Sequence, residues 1–307
     1  MNADELVSRM VAPSTRRPHK WMEGVMQINI TRSCDLACSN CTQGSQFGGM
    51  RYYMTPENFE LACQSVHDYF GLIGIFGGNP AMHPQFDQIC RILKKYFPME
   101  KCGIWCNNPL GKASMMRGTF NPRMSNLNVH MKDDAYHEFK RDWPESMPFG
   151  RDTDSKHSAV HGDLVAAVPD ESERYELIAN CDINKHWSAM ICQFRGQLRG
   201  FFCEVAGGQA VLFQNNPEYP DTGMPITPDN VHESWWKNFM PEFKDQVMFH
   251  CNKCLVPLRG TGRYAQREQT TEVSGLYTEL SAKGTHTLLP VITVPSETRR
   301  VIDYLER

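Results

Sequence analysis

Along the first 180 residues, short apolar runs alternate with amphipathic stretches, and turn-forming residues separate the two. The apolar runs predict β-strands at 26–31 (MQINIT), 71–76 (GLIGIF), 102–106 (CGIWC), 126–130 (NLNVH) and 164–168 (LVAAV). Between them the pattern is helical. Thr55 offers a capping hydroxyl with Pro56 at the first helical position, and Pro84 precedes QFDQICRILKKYF, whose Phe86, Ile89, Cys90 and Leu93 make one apolar stripe. Strand and helix in alternation imply parallel strands joined by helical crossovers, so the expected fold is α/β.

The pattern changes twice further on. From Pro144 to Asp163 the chain is polar and rich in Gly, Ser and Asp, which predicts a long surface loop, either covering a site or a plain insertion. After Ala179 come cysteines, glycines and short apolar runs such as AVLF, then a Pro/Asn/Asp-rich stretch and an expected helix around HESWWKNF. The expected organisation is an N-terminal extension at 1–25, a β/α domain at 26–180, a smaller cysteine-bearing unit at 181–265 and a tail at 266–307 with a short helix from Ser296.

Composition adds little. With 307 residues, 41% hydrophobic and 22% charged, the chain reads as ordinary globular protein, and a formal charge of -3 leaves nucleic acid unsupported as a partner but not excluded. MNADELVSRM lacks the basic region and apolar run of a signal peptide. No apolar stretch approaches the roughly 18 residues of a membrane span, so a cytoplasmic protein without a membrane partner is expected.

Twelve cysteines alter that bland picture, because without a secretion signal metal binding explains them better than disulfides do. Cys34, Cys38 and Cys41 lie in CDLACSNC, directly after the first strand, where β/α folds place their chemistry. A helically wound loop brings such spacings to one side. Three thiolates leave one iron of a [4Fe-4S] cubane without a protein ligand, whereas zinc requires a fourth ligand and more often uses paired CxxC elements. Gly77–Pro80 (GGNP) ends the second strand, and its glycines permit close backbone approach, although the tetrapeptide is also a good turn. Asn107 and Asn108 end the third strand. His130 and Lys132 follow at alternate positions at the end of the fourth, with a structural role as open as a binding one.

CxxxCxxC after the first strand, with GGNP in register, resembles the radical S-adenosylmethionine (SAM) superfamily. The resemblance implies a partial (β/α)6 TIM-like barrel and a [4Fe-4S] cluster on Cys34, Cys38 and Cys41. It also implies SAM chelating the open iron, where reductive cleavage yields a 5'-deoxyadenosyl radical. Gly77, Gly78, Asn79 and Pro80 would then stand in the family's GGEP position, with backbone groups at the methionyl ammonium. Asn107, Asn108, His130 and Lys132 become candidate contacts to SAM or substrate. Asn40 occupies a position where the family usually has an aromatic residue, so adenine contacts are expected to differ. A flavodoxin- or ferredoxin-type reductant is the implied protein partner.

A second set, Cys181, Cys203, Cys251 and Cys254, supplies four thiolates, enough for another [4Fe-4S] cluster or a structural zinc. It resembles the twitch-type, SPASM-like subdomain of the same superfamily, a hairpin and helix holding one auxiliary cluster. Cys192 rivals Cys181 for the first ligand position. Cys63, Cys90, Cys102, Cys106 and Cys192 read as small buried hydrophobes. The expected activity is hydrogen abstraction from a small polar molecule, a sugar, nucleoside or similar, leading to oxidation, epimerisation or isomerisation. Modification of a nucleobase in DNA or tRNA is one alternative. A peptide substrate is less attractive, since only about 25 residues precede the first strand. A non-enzymatic zinc or iron-sulfur scaffold comes last. No catalytic acid, base or hydrogen donor is assigned.

Overall fold

The computed structural model describes residues 1–9, 24–36, 38, 41–45, 52–152, 160, 164–181, 183, 188–237 and 242–258. The tail at 266–307, with the helix expected from Ser296, lies outside the described residues, as does Asn40.

One sheet runs through the molecule. Its strands are β1 (Val25–Thr31), β2 (Leu72–Gly77), β3 (Cys102–Ile104), β4 (Ser188–Phe194), β5 (Gln197–Phe201) and β6 (Met224–Pro225), in the order β3-β2-β1-β4-β5-β6. β1 is parallel to β2 and β4, and β2 to β3, while β4, β5 and β6 pair antiparallel. Every residue of β1 is buried, as a central parallel strand requires. Its two faces nevertheless differ, because Met26, Ile28 and Ile30 join the hydrophobic core while Gln27, Asn29 and Thr31 alternate with them. The inner face of this sheet is therefore polar at its centre.

Helices α1 (Ala3–Arg9), α2 (Pro56–Ser65), α3 (Phe86–Tyr96), α4 (Ala113–Arg117), α5 (Asp133–Asp142), α6 (Leu164–Ala167), α7 (Glu171–Ala179), α8 (Glu204–Phe213) and α9 (Glu242–His250) complete the main elements. Thr55 caps α2, its side chain accepting from the Asn58 amide, with Pro56 first in the helix. In α3 the stripe of Phe86, Ile89, Cys90 and Leu93 is buried as its spacing predicts.

Two sequence expectations need correction. The run expected as a strand at 164–168 instead forms helix α6 over Leu164–Ala167, with the Val168 amide donating to Leu164 O at 2.8 Å; a short apolar run has no periodicity to separate strand from buried helix. The chain around HESWWKNF gives only a 3-10 turn at Trp235–Lys237 among the described residues, with both tryptophans buried. A third expectation holds in reduced form. Asn126 and Asn128 make single parallel bridges to Trp105 and Phe149, which continue the row of parallel segments beyond β3. The sheet stays open, as a partial barrel. The left-handed backbone of His130 and Met131 (φ 45° and 64°) ends that segment and breaks the strand alternation assumed for His130 and Lys132.

Gly77 and Gly78 serve a backbone-to-backbone contact. A Cβ on Gly77 (φ 147°) would stand 2.1 Å from Thr31 O, and one on Gly78 2.4 Å from Ser33 O. Through this gap the Gly78 amide donates to Thr31 O (2.8 Å) and the Asn79 amide to Ser33 O (2.7 Å), tying the end of β2 to the start of the cysteine loop. Gly78→Ala is expected to cost about 2–3 kcal/mol, since neither backbone can yield alone. Denaturant unfolding measures this, and a change below about 0.5 kcal/mol would show that the contact is dispensable.

Candidate active site

The cysteine loop leaves β1 and winds back on itself. The Cys41 amide donates to Cys38 O (3.2 Å) and the Gly44 amide to Cys41 O (3.1 Å). Buried Arg32 fastens the far side, its guanidinium donating to Gly44 O at 2.8 Å and Gln43 O at 3.4 Å. Asn29 of β1 adds a bond of 2.6 Å to Gln43 Oε1. Cys34, Cys38 and Cys41 thereby line one cavity of about 460 Å3, within the usual range for small-molecule sites. Burial pushes the Cys34 thiol well up, and Asp35, Cys38 and Cys41 nearby push it further. A bound metal cation would offset that burial at Cys34, and three thiols on one cavity wall fit a metal cluster that the protein ligates three times.

Asp35 ties the loop to the ends of the other parallel segments. Its Oδ1 accepts from Asn107 Nδ2 (2.7 Å) and Asn79 Nδ2 (3.3 Å), and its Oδ2 from Asn108 Nδ2 (2.8 Å) and the Lys132 ammonium. Burial opposes ionisation here, but Lys132 and the Asn107 and Asn108 amides outweigh it and hold the carboxyl below its ordinary value. Four residues singled out as cofactor contacts thus converge on a carboxylate inside the cysteine motif. Asp35 itself escaped the sequence reading. Its signal was an acid between the first two cysteines, with amides at several strand ends to receive it.

The other candidates divide by depth. Gly77, Gly78, Asn107 and His130 line the cavity of the cysteines. Asn79 is fully buried behind it, where its Oδ1 accepts from the Ala81 amide (3.3 Å), and Pro80 starts the 3-10 turn that follows. Asn108 and Lys132 line a neighbouring hollow, which also borders on His130. Residues that sequence reasoning missed supply much of the cavity wall, among them Gln27, Gln43, Trp105, Asn126, Asn128 and Glu204. The Glu204 carboxylate accepts from Gln27 of β1.

The family model of the radical SAM superfamily matches residues 28–137, which span β1, the cysteine loop, β2, β3 and the start of α5. This segment is a radical SAM domain. The chain therefore carries a radical SAM domain, which implies an enzyme with a [4Fe-4S] cluster, SAM, a small-molecule substrate and a reductant. Among solved structures, the "Crystal structure of BtrN in complex with AdoMet and 2-DOIA" aligns with 80% of this chain and 96% of that one. Its identity is 12% and its TM-score 0.42, too remote a likeness to bear on the chemistry. No curated protein matches the sequence. No helix among the described residues is long and apolar enough to cross a membrane.

Beyond the radical SAM domain, Cys181, Cys203, Cys251 and Cys254 line one small cavity of about 20 Å3, roughly the room of one water. Burial pushes Cys203 and Cys251 well up, with the neighbouring thiols adding to the effect, and raises Cys254 to about 12. Cys192 lies elsewhere, in β4, with its Sγ 3.8 Å from Gly207 O. Cys63, Cys90, Cys102 and Cys106 are buried as small hydrophobes should be, yet Cys106 also borders the first cavity. As the side chains stand, no three metal-binding groups among the described residues are drawn together around a single ion. His250 shares the second cavity, and burial pushes it down to about 3, so its imidazole is neutral.

The two cysteine sites meet at α8. Cys203 caps this helix, Glu204 reaches the first cavity, and Gln43 Nε2 of the cysteine loop donates to Glu204 O at 3.4 Å. A Cβ on Gly208 would stand 2.6 Å from Thr42 O, so the helix lies hard against the loop that carries Cys41.

Proposed function

We propose that the enzyme abstracts hydrogen from a small, polyhydroxylated substrate, a sugar, nucleoside or similar molecule, and that the net reaction is an oxidation. The observation that carries this reading is the cavity wall. Gln27, Gln43, Asn107, Asn126 and Asn128 present amides that both donate and accept, Thr42 and Ser45 present hydroxyls, and Trp105 and Phe149 give flat apolar surface. Such a lining suits a molecule with many hydroxyls better than an apolar one. Cys34, Cys38 and Cys41 would hold the cluster, and the bound cluster with SAM supplies hydrogen-atom abstraction. Gly77, Gly78, Asn107 and His130 would border SAM. An ammonium only donates, so any backbone contact from this turn to the methionyl ammonium falls to carbonyl oxygens.

Oxidation is favoured by a second metal centre beside the N-terminal end of α8, on Cys181, Cys203, Cys251 and Cys254, in a unit beginning near residue 180. An iron-sulfur cluster there supplies an electron acceptor. The narrow void between the four thiols favours a competing occupant, a structural zinc ion. A competing net reaction also has its own observation, because burial raises the Cys106 thiol to about 12 and keeps it protonated beside the first cavity, as a hydrogen donor for epimerisation must be.

Incubation of anaerobically reconstituted enzyme with SAM, reductant and a panel of sugars, aminocyclitols and nucleosides tests this. One 5'-deoxyadenosine per carbonyl product formed is the expected result. SAM reused over many turnovers, or solvent deuterium fixed in an epimer, would overturn the oxidative reading. Zinc in place of iron and sulfide at the second site would remove its support.

A further inference from the structure

We propose that His250 is a metal ligand of the second centre, its Nε2 occupying one position beside three of the four thiolates of Cys181, Cys203, Cys251 and Cys254. The inference rests on the reading of these cysteines as a metal site. His250 is the last residue of α9, directly before Cys251, and it lines the same cavity as the four cysteines.

Three features of the ring fit a ligand and not a packing residue. The side chain is 2% exposed, and its Nδ1 lies 2.7 Å from Gln209 Oε1. That oxygen only accepts, so the ring proton sits on Nδ1 and Nε2 keeps a bare lone pair. Nε2 is buried and has no hydrogen-bond partner among the described residues. An acceptor stranded in this way is costly in a protein interior, and a metal ion relieves it. One ring nitrogen donating to a carbonyl, with the other left open, is how metal-bound histidines are held. Gln209 is fully buried on α8, the helix that Cys203 caps. Phe249 packs edge-on at 4.9 Å between centroids, and Phe201 and Tyr219 lie near 6.4 and 6.3 Å, so the ring plane is fixed from several sides.

Five candidate donors then line one cavity, whereas a centre there offers four protein positions, whether it is a zinc ion or a cubane with one outer ligand per iron. One sulfur stays outside the coordination sphere. Three cysteines with one histidine is an established donor set, and a neutral nitrogen in place of a thiolate lowers the negative charge buried there.

The test uses the full chain with Cys34, Cys38 and Cys41 replaced by Ser, so that metal reports the second site alone. It is loaded anaerobically with iron and sulfide, or with zinc, and examined by X-ray absorption at the edge of the bound metal. A nitrogen neighbour beside sulfur is expected, at about 2.0–2.1 Å in the zinc form. His250→Leu is expected to lose that nitrogen. If His250→Leu does not fold, Gln209→Met serves instead, keeping the ring and lowering metal affinity about 10–100-fold. Bound metal with sulfur neighbours only would overturn the role of His250 and leave the metal site standing. No bound metal would overturn both.

Discussion

Serine at positions 34, 38 and 41 is expected to abolish SAM cleavage and to remove about four irons from the roughly eight that two cubanes carry. Serine is nearly the size of cysteine, but its oxygen is a hard donor with little affinity for iron-sulfur clusters. Loss of fold is not expected to be the cause. These thiols are only partly buried, and two of their contacts are long, 3.8 Å from Cys34 Sγ to Asn107 Oδ1 and 3.5 Å from Cys41 Sγ to Ser45 Oγ. The loop keeps its shape through Arg32, Asn29 and Asp35, none of which the substitution touches. An unfolding midpoint within about 1 kcal/mol of the parent is therefore expected for the apo forms. Iron analysis and chromatography of 5'-deoxyadenosine give the readout. Undiminished cleavage in the triple variant would refute this site, whereas Cys254→Ser should leave SAM cleavage in place and affect only the metal of the second site.

Much of this was legible along the chain because local rules decided it. The first three strands, the cap and proline of α2 and the stripe of α3 each follow from a few neighbouring residues. The grouping of Cys34, Cys38 and Cys41 likewise needed only a loop that winds once. What stayed hidden depends on contacts between distant residues. Asn107, Asn108 and Lys132 looked like ligand contacts because strand ends commonly bind ligands, yet their partner Asp35 lies 72 to 97 positions earlier. The polar alternation of Gln27, Asn29 and Thr31 was visible in MQINIT, but only burial on both faces shows that it marks a polar interior. The continuation of the row of parallel segments at Phe149 was concealed within a stretch of loop-like composition, while the apolar run at 164–168 drew the eye instead.

Pairing across the sheet also explains why the hairpin after residue 188 matters to the first site. β4 joins β1 in parallel, and the turn at Arg195 and Gly196 (φ 49° and 77°) returns the chain as β5 directly to Cys203 and α8. Chain that supplies the second set of cysteines therefore also supplies Glu204 to the wall of the first cavity.

Removing the Lys132 ammonium is expected to be the most damaging substitution that spares every cysteine. Lys132 and Asp35 side chains are 10% and 18% exposed, so the pair is shielded from water. Lys132→Met preserves the length of the stem and strands the carboxylate among the amides of Asn79, Asn107 and Asn108, which satisfy its oxygens but leave its charge uncompensated. A loss of about 2–4 kcal/mol follows from breaking a pair at this depth. Because Asp35 adjoins Cys34, iron occupancy of the first site should fall as well. Asp35→Asn in the same chain removes the stranded charge, and the double variant should recover more than about 1 kcal/mol relative to the sum of the single changes, as coupled neighbours do. Urea unfolding of the four proteins of this cycle decides the matter. Additive effects would mean that the amides alone anchor the loop, in which case Asn107→Leu with Asn108→Leu, and not Lys132→Met, should release the cysteine motif from the sheet.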